Sequence, residues 1–546
     1  MEIMEKEYYS LYDCVNQTRK TYENNIAYDF MGKRVSYANF LKQIDITAAA
    51  LVNLGIKEDD VVAIAMPNTP QAITMIYAAN KIGAVVNMIH PLSSENEFKE
   101  LINKVNAKII LILDTFYEKL EKIQNDISVE RIIVARIDEA LPFYKAIAYN
   151  IANKKVPIIY TDKTISWHSF ISNVGDYNTI NAITNRNDKL ALMLFSGGTT
   201  GKVKAVCLSN RQINESAKQM YDANPMICDS DRFLSVMPIF HGNGLVIGVH
   251  LMLMFGARCV LIPRFTPQSY AKDLLKNKCN YMSGVPALYE RLLDLDIMKN
   301  ADLSFLKGAF SGADYLSVDL EKRLNDFFIK HNAKIIIRQG YGMTEGVVAT
   351  TLNPYDKSKE GSIGIPLKGV EVKIVKPDSE IELTNGEIGE IVFSSVTNMM
   401  GYLNDEEETN KTLRLHSDGK YWIHSGDLGS KDDEGYLYFK GRIKRMIVTN
   451  GYNVFPNELE NIIESFDMVE RCCVIGVPHV SGTDKIKAFI ILKKGYEKDD
   501  NTKEQILSLC KAYIAKYALP KYIEFIDSMP KTKVGKVDYN ALLNND

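Results

Sequence analysis

The sequence predicts an α/β fold. A large N-terminal part is built of layered α/β subdomains with a smaller β-rich subdomain, and a small α+β C-terminal domain follows. Three observations predict this. Helical and strand-like apolar patterns alternate from about residue 35 to about 340. Short glycine-punctuated strands take over near residue 360. About a hundred final residues then return to a compact mixture of helices and strands. Alternation of the first kind favours parallel sheets covered by helices, and about a hundred residues suffice for a separate small domain.

Each element has its own reason. TAAALVNLGI (47–56) repeats its apolar residues at helical spacing and stops at a glycine, and DDVVAIAM (59–66) then reads as a buried strand. AITMIYAANKIGAVVNMI (72–89) repeats that scheme about Gly83, while RIIVARI (131–137) and RCVLIPRF (258–265) read as further buried strands. VEVKIV (370–375) and GEIVF (389–393) fall in the β-rich stretch from Gly361 to Phe439. Beyond GRIKRMIVTNGYNVFPNELE (441–460) the pattern runs helix NELENIIES, strand CCVIGV, strand KAFIILKK and helix KEQILSLCKAYIAKY. The expected division is therefore 1–441, with the β-rich subdomain at about 361–440, and 442–546.

Composition bounds the function. Of 546 residues, 46% are hydrophobic and 24% charged, as in ordinary globular proteins. Lysine and arginine total 65 against 68 acidic residues, so no basic excess points to nucleic acid. The eight cysteines form no C-x-x-C, which implies neither a zinc ribbon nor a disulfide framework; a reducing, cytoplasmic setting is expected. MEIMEKEYYSLYD lacks the apolar core of a signal peptide, and no apolar run reaches transmembrane length. ALPFYKAIAYNIANKKVP (140–157) reads as an ordinary solvent-facing helix, with contact at a membrane surface as the alternative.

FSGGTTGKVKAV (195–206) follows the apolar strand Leu190–Leu194. Its glycines let backbone N–H groups approach a ligand, and its threonines and lysines suit a polyanion. The spacing excludes a Walker A loop, because Val203 follows Lys202 and Ser196 stands where the first glycine belongs. No dinucleotide fingerprint fits either. A phosphate loop of another kind and a plain surface loop both remain open at this point.

Further stretches follow in order. MPIFHGNG places His241 in a glycine-flanked turn, where a lone histidine is ordinarily a packing residue. FSGADYL offers Ser311, Gly312 and Ala313, small residues that let a flat ring lie against the backbone. RQGYGMTEG combines Gln339, Gly340, Tyr341, Gly342, Thr344 and Glu345; WIHSGDLG carries Asp427; Gly535-Lys536 ends MPKTKVGK. Together these resemble the adenylate-forming superfamily of acyl-CoA synthetases, luciferases and nonribosomal adenylation domains, over about Tyr37 to Leu543. QGYGMTE matches the family motif without departure, whereas Val203 and Ala205 stand where the loop usually has proline and glycine.

The resemblance implies roles. Ser196, Gly197, Gly198, Thr199, Thr200, Gly201 and Lys204 would hold the β- and γ-phosphates of ATP. Gly312 and Ala313, with the Tyr341 ring, would enclose adenine, beside Gln339, Gly340 and Gly342. Asp427 would accept the ribose hydroxyls with Arg442 as a second contact. Thr344 would bond the α-phosphate and Glu345 would ligate Mg²⁺. His241 would lie beside the acyl carboxylate, with Phe240, Gly242 and Asn243 lining the route to pantetheine. Lys536 would reach the α-phosphate and carboxylate; Lys444 would be the hinge of a mobile C-terminal domain whose rotation brings Gly451 and Tyr452 to the thiol site.

The implied reaction has two steps: a carboxylate attacks ATP to give acyl-AMP and pyrophosphate, and a thiol then displaces AMP. A medium- or long-chain fatty acid is the expected substrate and CoA the expected thiol. Aryl, bile or amino acids are the alternatives, with Asp314 as an amine partner in the last case and a carrier protein's phosphopantetheine as the other acceptor. An oxidative luciferase-like enzyme and a non-catalytic nucleotide sensor are the readings from other classes. Retention of Lys536, Thr344 and Glu345 speaks against the sensor.

Overall fold

The computed structural model describes residues 10–543 except 154–155, 173, 184–185, 198–202, 450–451, 479–483 and 532–536; at 178, 197, 448, 452, 453 and 540 only the backbone is described. Two large sheets face each other across helices. The first has eight strands, in the spatial order Gly401–Tyr402, Val203–Ser209, Leu190–Gly197, Val85–Met88, Val61–Ala65, Ile109–Leu113, Arg131–Ala135, Thr164–Ser166. Its strands are parallel from Leu190–Gly197 onward, and the first two join antiparallel. The second, nine-stranded sheet has the parallel strands Gly308–Ser311, Tyr281–Gly284, Arg232–Ser235 and Arg258–Leu261 at its centre.

The helix Pro70–Lys81 lies deep between these layers, and all 12 of its residues are buried. Thr69 caps it by accepting from Ala72 N–H, and Pro70 occupies a position where no N–H is needed. Its one charge, Lys81, is matched by Asp45 at 2.7 Å. Burial on every side fits the apolar runs 72–73 and 75–79, which cover more than one face, since a helix with a solvent face would confine its apolar residues to one stripe.

A third, five-stranded antiparallel sheet contains Val370–Val375, Gly389–Ser395, Tyr421–Lys431, Leu413–Leu415 and Leu437–Arg442. The expected boundary between 441 and 442 coincides with the last two residues of that final strand. Beyond it a hairpin, Ile447–Thr449 with Tyr452–Val454, precedes a three-stranded sheet, Val469–Val477, Lys485–Leu492 and Tyr522–Phe525. Helices Pro456–Glu464 and Asp500–Tyr513 pack on this sheet around a separate apolar core.

The layered α/β class with a small α+β C-terminal part is thus the observed architecture. Local boundaries differ from expectation at several elements: the helix read at 47–56, for example, runs Tyr37–Asn53. The helix read at 503–517 ends at Tyr513, because Ile514 turns extended and buries its side chain in the C-terminal core. The helix read within 140–157 narrows to Phe143–Ala152, and none of its residues is buried.

Candidate active site

Asp427 sits in the strand Tyr421–Lys431, directly opposite Arg442 on Leu437–Arg442. Gly426, at φ +69°, supplies the left-handed turn that a side chain would strain, and Ser425 Oγ accepts from Asp427 N–H at 3.0 Å. The aspartate is held from two sides: Tyr341 Oη donates to Oδ2 at 2.9 Å, and Arg442 Nε lies 3.3 Å from Oδ1. Burial and the Asp427 charge push the Tyr341 phenol well above its ordinary value, so it stays a donor. The structure therefore brings Tyr341, Asp427 and Arg442 together. An ionised carboxylate offers two acceptor oxygens, the kind of group that suits a pair of hydroxyls.

Behind this corner lies a buried relay that the sequence reading missed. Glu390 Oε1 accepts from Gly426 N–H at 3.0 Å, and its Oε2 meets His424 Nδ1 at 2.9 Å. His424 Nε2 in turn meets His416 Nε2 at 2.9 Å. Burial would raise the Glu390 carboxyl, but the bonds from His424 and Gly426 hold it below its ordinary value. The charged Glu390 thereby fixes the peptide just before Asp427.

The candidate phosphate loop springs from an antiparallel pair in which Ser196 faces Lys204 and Gly197 faces Val203. Gly198, Thr199, Thr200 and Gly201 lie outside the described residues. Lys204 is paired with the carboxylate of Glu408, and its ammonium stands 4.7 Å from the centre of the Tyr402 ring. Tyr402 Oη donates to Glu345 Oε1 at 2.8 Å, and burial with the nearby Glu345 charge raises the phenol so that it remains protonated. Glu345 is buried in the single turn Thr344–Gly346, which Met399 N–H clamps by donating to Glu345 O at 2.7 Å. Lys204 and Glu345, distant in sequence, are thus bridged by one tyrosine.

Glu345 suits a hard cation, since it is a carboxylate whose Oε1 is held in place by Tyr402. Among the described residues no three His, Cys, Asp or Glu side chains converge. A magnesium ion at Glu345 would accordingly take its remaining ligands from phosphates and water.

The expected adenine wall is formed by paired strands. Ser311 faces Gln339, and the chain continues into Gly312 on one strand and Gly340 and Tyr341 on the other. A Cβ at Gly312 would lie 3.4 Å from Gly340 O, so the two backbones run in contact. Ser311 Oγ and Gln339 Oε1 are buried without a partner among the described residues, which a bound polar group would relieve. Ala313 adopts φ +66° and is exposed, as is Asp314, whose Oδ1 accepts from Tyr315 N–H at 2.9 Å. At Gly342 a Cβ would fall 1.8 Å from Val348 O, so only glycine permits this crossing. His241 is half-buried and meets the Phe240 ring edge-on at 4.8 Å between centroids, and Phe240 lies tilted against His90 at 4.4 Å.

In the C-terminal part Lys444 is exposed within the turn Ile443–Arg445. Its neighbour Arg445 is tied down by Glu460 at 2.7 Å and by the Tyr539 ring at 3.7 Å. Gly451 and Lys536 lie outside the described residues, and Tyr452 is described by its backbone alone. Asn461 reaches back to Tyr315 Oη at 3.2 Å.

Residues 15–403 match the family described as AMP-binding enzyme, and residues 458–536 match the AMP-binding enzyme C-terminal domain. The chain belongs to the AMP-binding enzyme family. It is 30% identical to a long-chain-fatty-acid–CoA ligase of Bacillus subtilis over 546 residues, covering 98% of this chain and 94% of that one. The crystal structure of ATP-bound MatB from Rhodopseudomonas palustris superposes with TM-score 0.83 at 25% identity, over 98% of both chains. An anthranilate CoA ligase in complex with anthranoyl-AMP has the same fold, with TM-score 0.83 at 23% identity over 100% of this chain and 99% of that one. These relatives bear out the adenylate-forming resemblance, the fold class and the acyl-CoA synthetase class read from the motifs.

Four residues of the candidate site escaped the sequence reading: Tyr402, Glu408, Glu390 and His424. Tyr402 and Glu408 lie about 200 residues from Lys204, and the acidic run DEEE reads as a solvated helix start. Only the pairing of Gly401–Tyr402 with Val203–Ser209 lays them beside the phosphate loop.

Proposed function

We propose that the chain is an ATP-dependent acid–thiol ligase that activates a medium- or long-chain fatty acid as acyl-AMP, releases pyrophosphate, and passes the acyl group to CoA. The observation that carries this reading is the Tyr341–Asp427–Arg442 corner, a prepositioned clamp for a ribose at the end of the motif-bearing strands. The whole-length likeness to the Bacillus subtilis long-chain-fatty-acid–CoA ligase supports the fatty acid as substrate.

In the adenylation step Asp427 holds the ribose while Gly312, Gly340 and Tyr341 bound the base. Thr344 donates its hydroxyl to the α-phosphate, and Lys204 leaves Glu408 to meet the terminal phosphates. A magnesium ion bound at Glu345 supplies charge neutralisation on the phosphate oxygens. Lys536 reaches the α-phosphate and the attacking carboxylate, orienting the nucleophile and stabilising the charge that develops on the phosphoryl oxygens in that transition state. In the second step the C-terminal domain turns about Lys444, withdrawing Lys536 and bringing Gly451 and Tyr452 to the entering thiol. We place this chemistry in the reducing cytoplasm, a reading supported by eight cysteines that are all free.

Pyrophosphate release from ATP, screened across fatty, aryl, bile and amino acids, tests the proposal. A medium- or long-chain fatty acid should give the highest kcat/KM, with CoA consumed in equal amount. Preference for an aryl, bile or amino acid, or transfer to a carrier protein's phosphopantetheine alone, would replace the fatty acid or CoA in this reading.

A further inference from the structure

The strand that carries Asp427 is out of step with its neighbour. Glu390 pairs with Leu428 and Val392 with His424, so Ile391 alone faces Ser425, Gly426 and Asp427. Such a bulge leaves its extra residues without ladder partners, bends the strand and re-aims a side chain. The hydrogen bonds of these residues must therefore go elsewhere. Ser425 Oγ donates to Ile391 O at 2.6 Å and accepts from Asp427 N–H at 3.0 Å. Gly426, left-handed at φ +69°, donates its N–H to Glu390 Oε1 at 3.0 Å. One carboxylate thus stands in for a missing rung of the ladder.

A buried carboxylate is a costly acceptor for a single N–H. Glu390 is 4% exposed, and its other oxygen is occupied by His424 Nδ1 at 2.9 Å. Because Glu390 is held in its ionised form, His424 Nδ1 carries the proton of that bond. His424 Nε2 then accepts from His416 Nε2 at 2.9 Å, and the His416 ring is stacked on Trp422 at 5.6 Å. Each member is fixed by the next, from Trp422 through two buried histidines to the bulge. The reaction proposed above uses none of the side chains of Glu390, His424 and His416.

We propose that Glu390 is a positioning residue for ATP: held by the His424–His416 pair, it locks the bulge that aims Asp427 at the ribose. The inference rests on Asp427 as the ribose acceptor, the reading given under the proposed function. Glu390 contributes an acceptor at a fixed place, so glutamine can replace it. The glutamine Oε1 would accept from Gly426 N–H and its Nε2 would donate to His424 Nδ1, while the proton between the two histidines moves to His424 Nε2.

The test is steady-state pyrophosphate release by the full-length chain with ATP varied at saturating acid. Glu390→Ala should raise the KM for ATP by about five- to tenfold and leave kcat within about twofold, the mark of lost ground-state binding. Glu390→Met keeps the side-chain length without an acceptor; it should give the same rise and serves if the alanine chain does not fold. Glu390→Gln should bring the KM back to within about twofold of the unaltered value. Combined with Asp427→Ala, the loss of Glu390 should add nothing, because a residue that acts through Asp427 then has no side chain to position. The proposal is overturned if the alanine and methionine variants keep the unaltered KM, if glutamine fails to restore it, or if the losses at Glu390 and Asp427 add. An unchanged KM in Asp427→Ala itself would overturn the ribose reading and this inference with it. A loss at Asp427 with none at Glu390 would overturn the inference alone.

Discussion

Lys204, at the end of the glycine-rich loop, is ion-paired with Glu408, on a helix about 200 residues further along the chain, above the ring of Tyr402. The lysine is thus held by a carboxylate, and under the proposed function the phosphates of ATP would compete with that anion. Lys411, 3.1 Å from the other oxygen of Glu408, is placed to keep the carboxylate once Lys204 leaves. Glu408→Gln should therefore lower the KM for ATP by about two- to fivefold, the scale of a partly exposed ion pair. A raised KM would make Glu408 an aid to ATP binding instead of a competitor.

Asp427→Ala removes the proposed acceptor for both ribose hydroxyls and takes away the partner that Arg442 and Tyr341 share. Charge-assisted bonds contribute about 1.5–3 kcal/mol each, so ATP affinity should fall at least about tenfold. Tyr341→Phe keeps the carboxylate but loses the bond that orients it, and should give a smaller loss. Isothermal titration of ATP into each variant measures both.

Glu345→Gln should raise the magnesium concentration needed for half-maximal pyrophosphate release, because a hard cation loses its one charged protein ligand. Tyr402→Phe leaves that charge in place and frees its orientation, so its effect should be in the same direction and smaller. Full activity of Glu345→Gln at low magnesium would remove the residue from metal binding.

Replacing Lys536 by alanine should slow acyl-AMP formation by about two or more orders of magnitude, the scale of one lost electrostatic stabiliser. Thioester formation from supplied acyl-AMP and CoA should continue near its normal rate. Lys444→Pro should do the opposite, since a fixed φ hinders the hinge while leaving adenylation intact. Equal damage to both half-reactions in both variants would sink the two-conformation mechanism.

Glu464 gives the C-terminal domain a pH signature. Burial pushes its carboxyl up from the ordinary 4.5 to about 7, against the weaker pull of Arg471 at 3.9 Å. Between those two values the folded chain keeps a proton that the unfolded chain releases, so stability must fall as pH rises through that window. The contribution is at most about 3 kcal/mol. Thermal unfolding followed from pH 4.5 to 7.5 should show this decline, and Glu464→Gln should flatten it.

Much of this protein was legible in one dimension. The alternation of helix and strand patterns, the β-rich stretch near 360 and the compact last hundred residues are local facts, each written in spacings of a few residues. The chemistry-bearing glycine, threonine and carboxylate residues stand in contiguous motifs, so Asp427, Tyr341 and Glu345 could be picked out before any contact was known. What only the tertiary structure decided is which groups those residues meet. Tyr402 reaches Glu345, and Glu408 reaches Lys204, because a two-residue strand at 401–402 joins the edge of the first sheet, a pairing that carries no periodic signature. The histidine pair behind Asp427 is hidden for the same reason, since hydrogen bonds between strands leave composition unchanged. The helix at 143–152 makes the point most plainly: its spacing defines an apolar face, but only its docking on Met31 and Asp138 determines that this face looks outward.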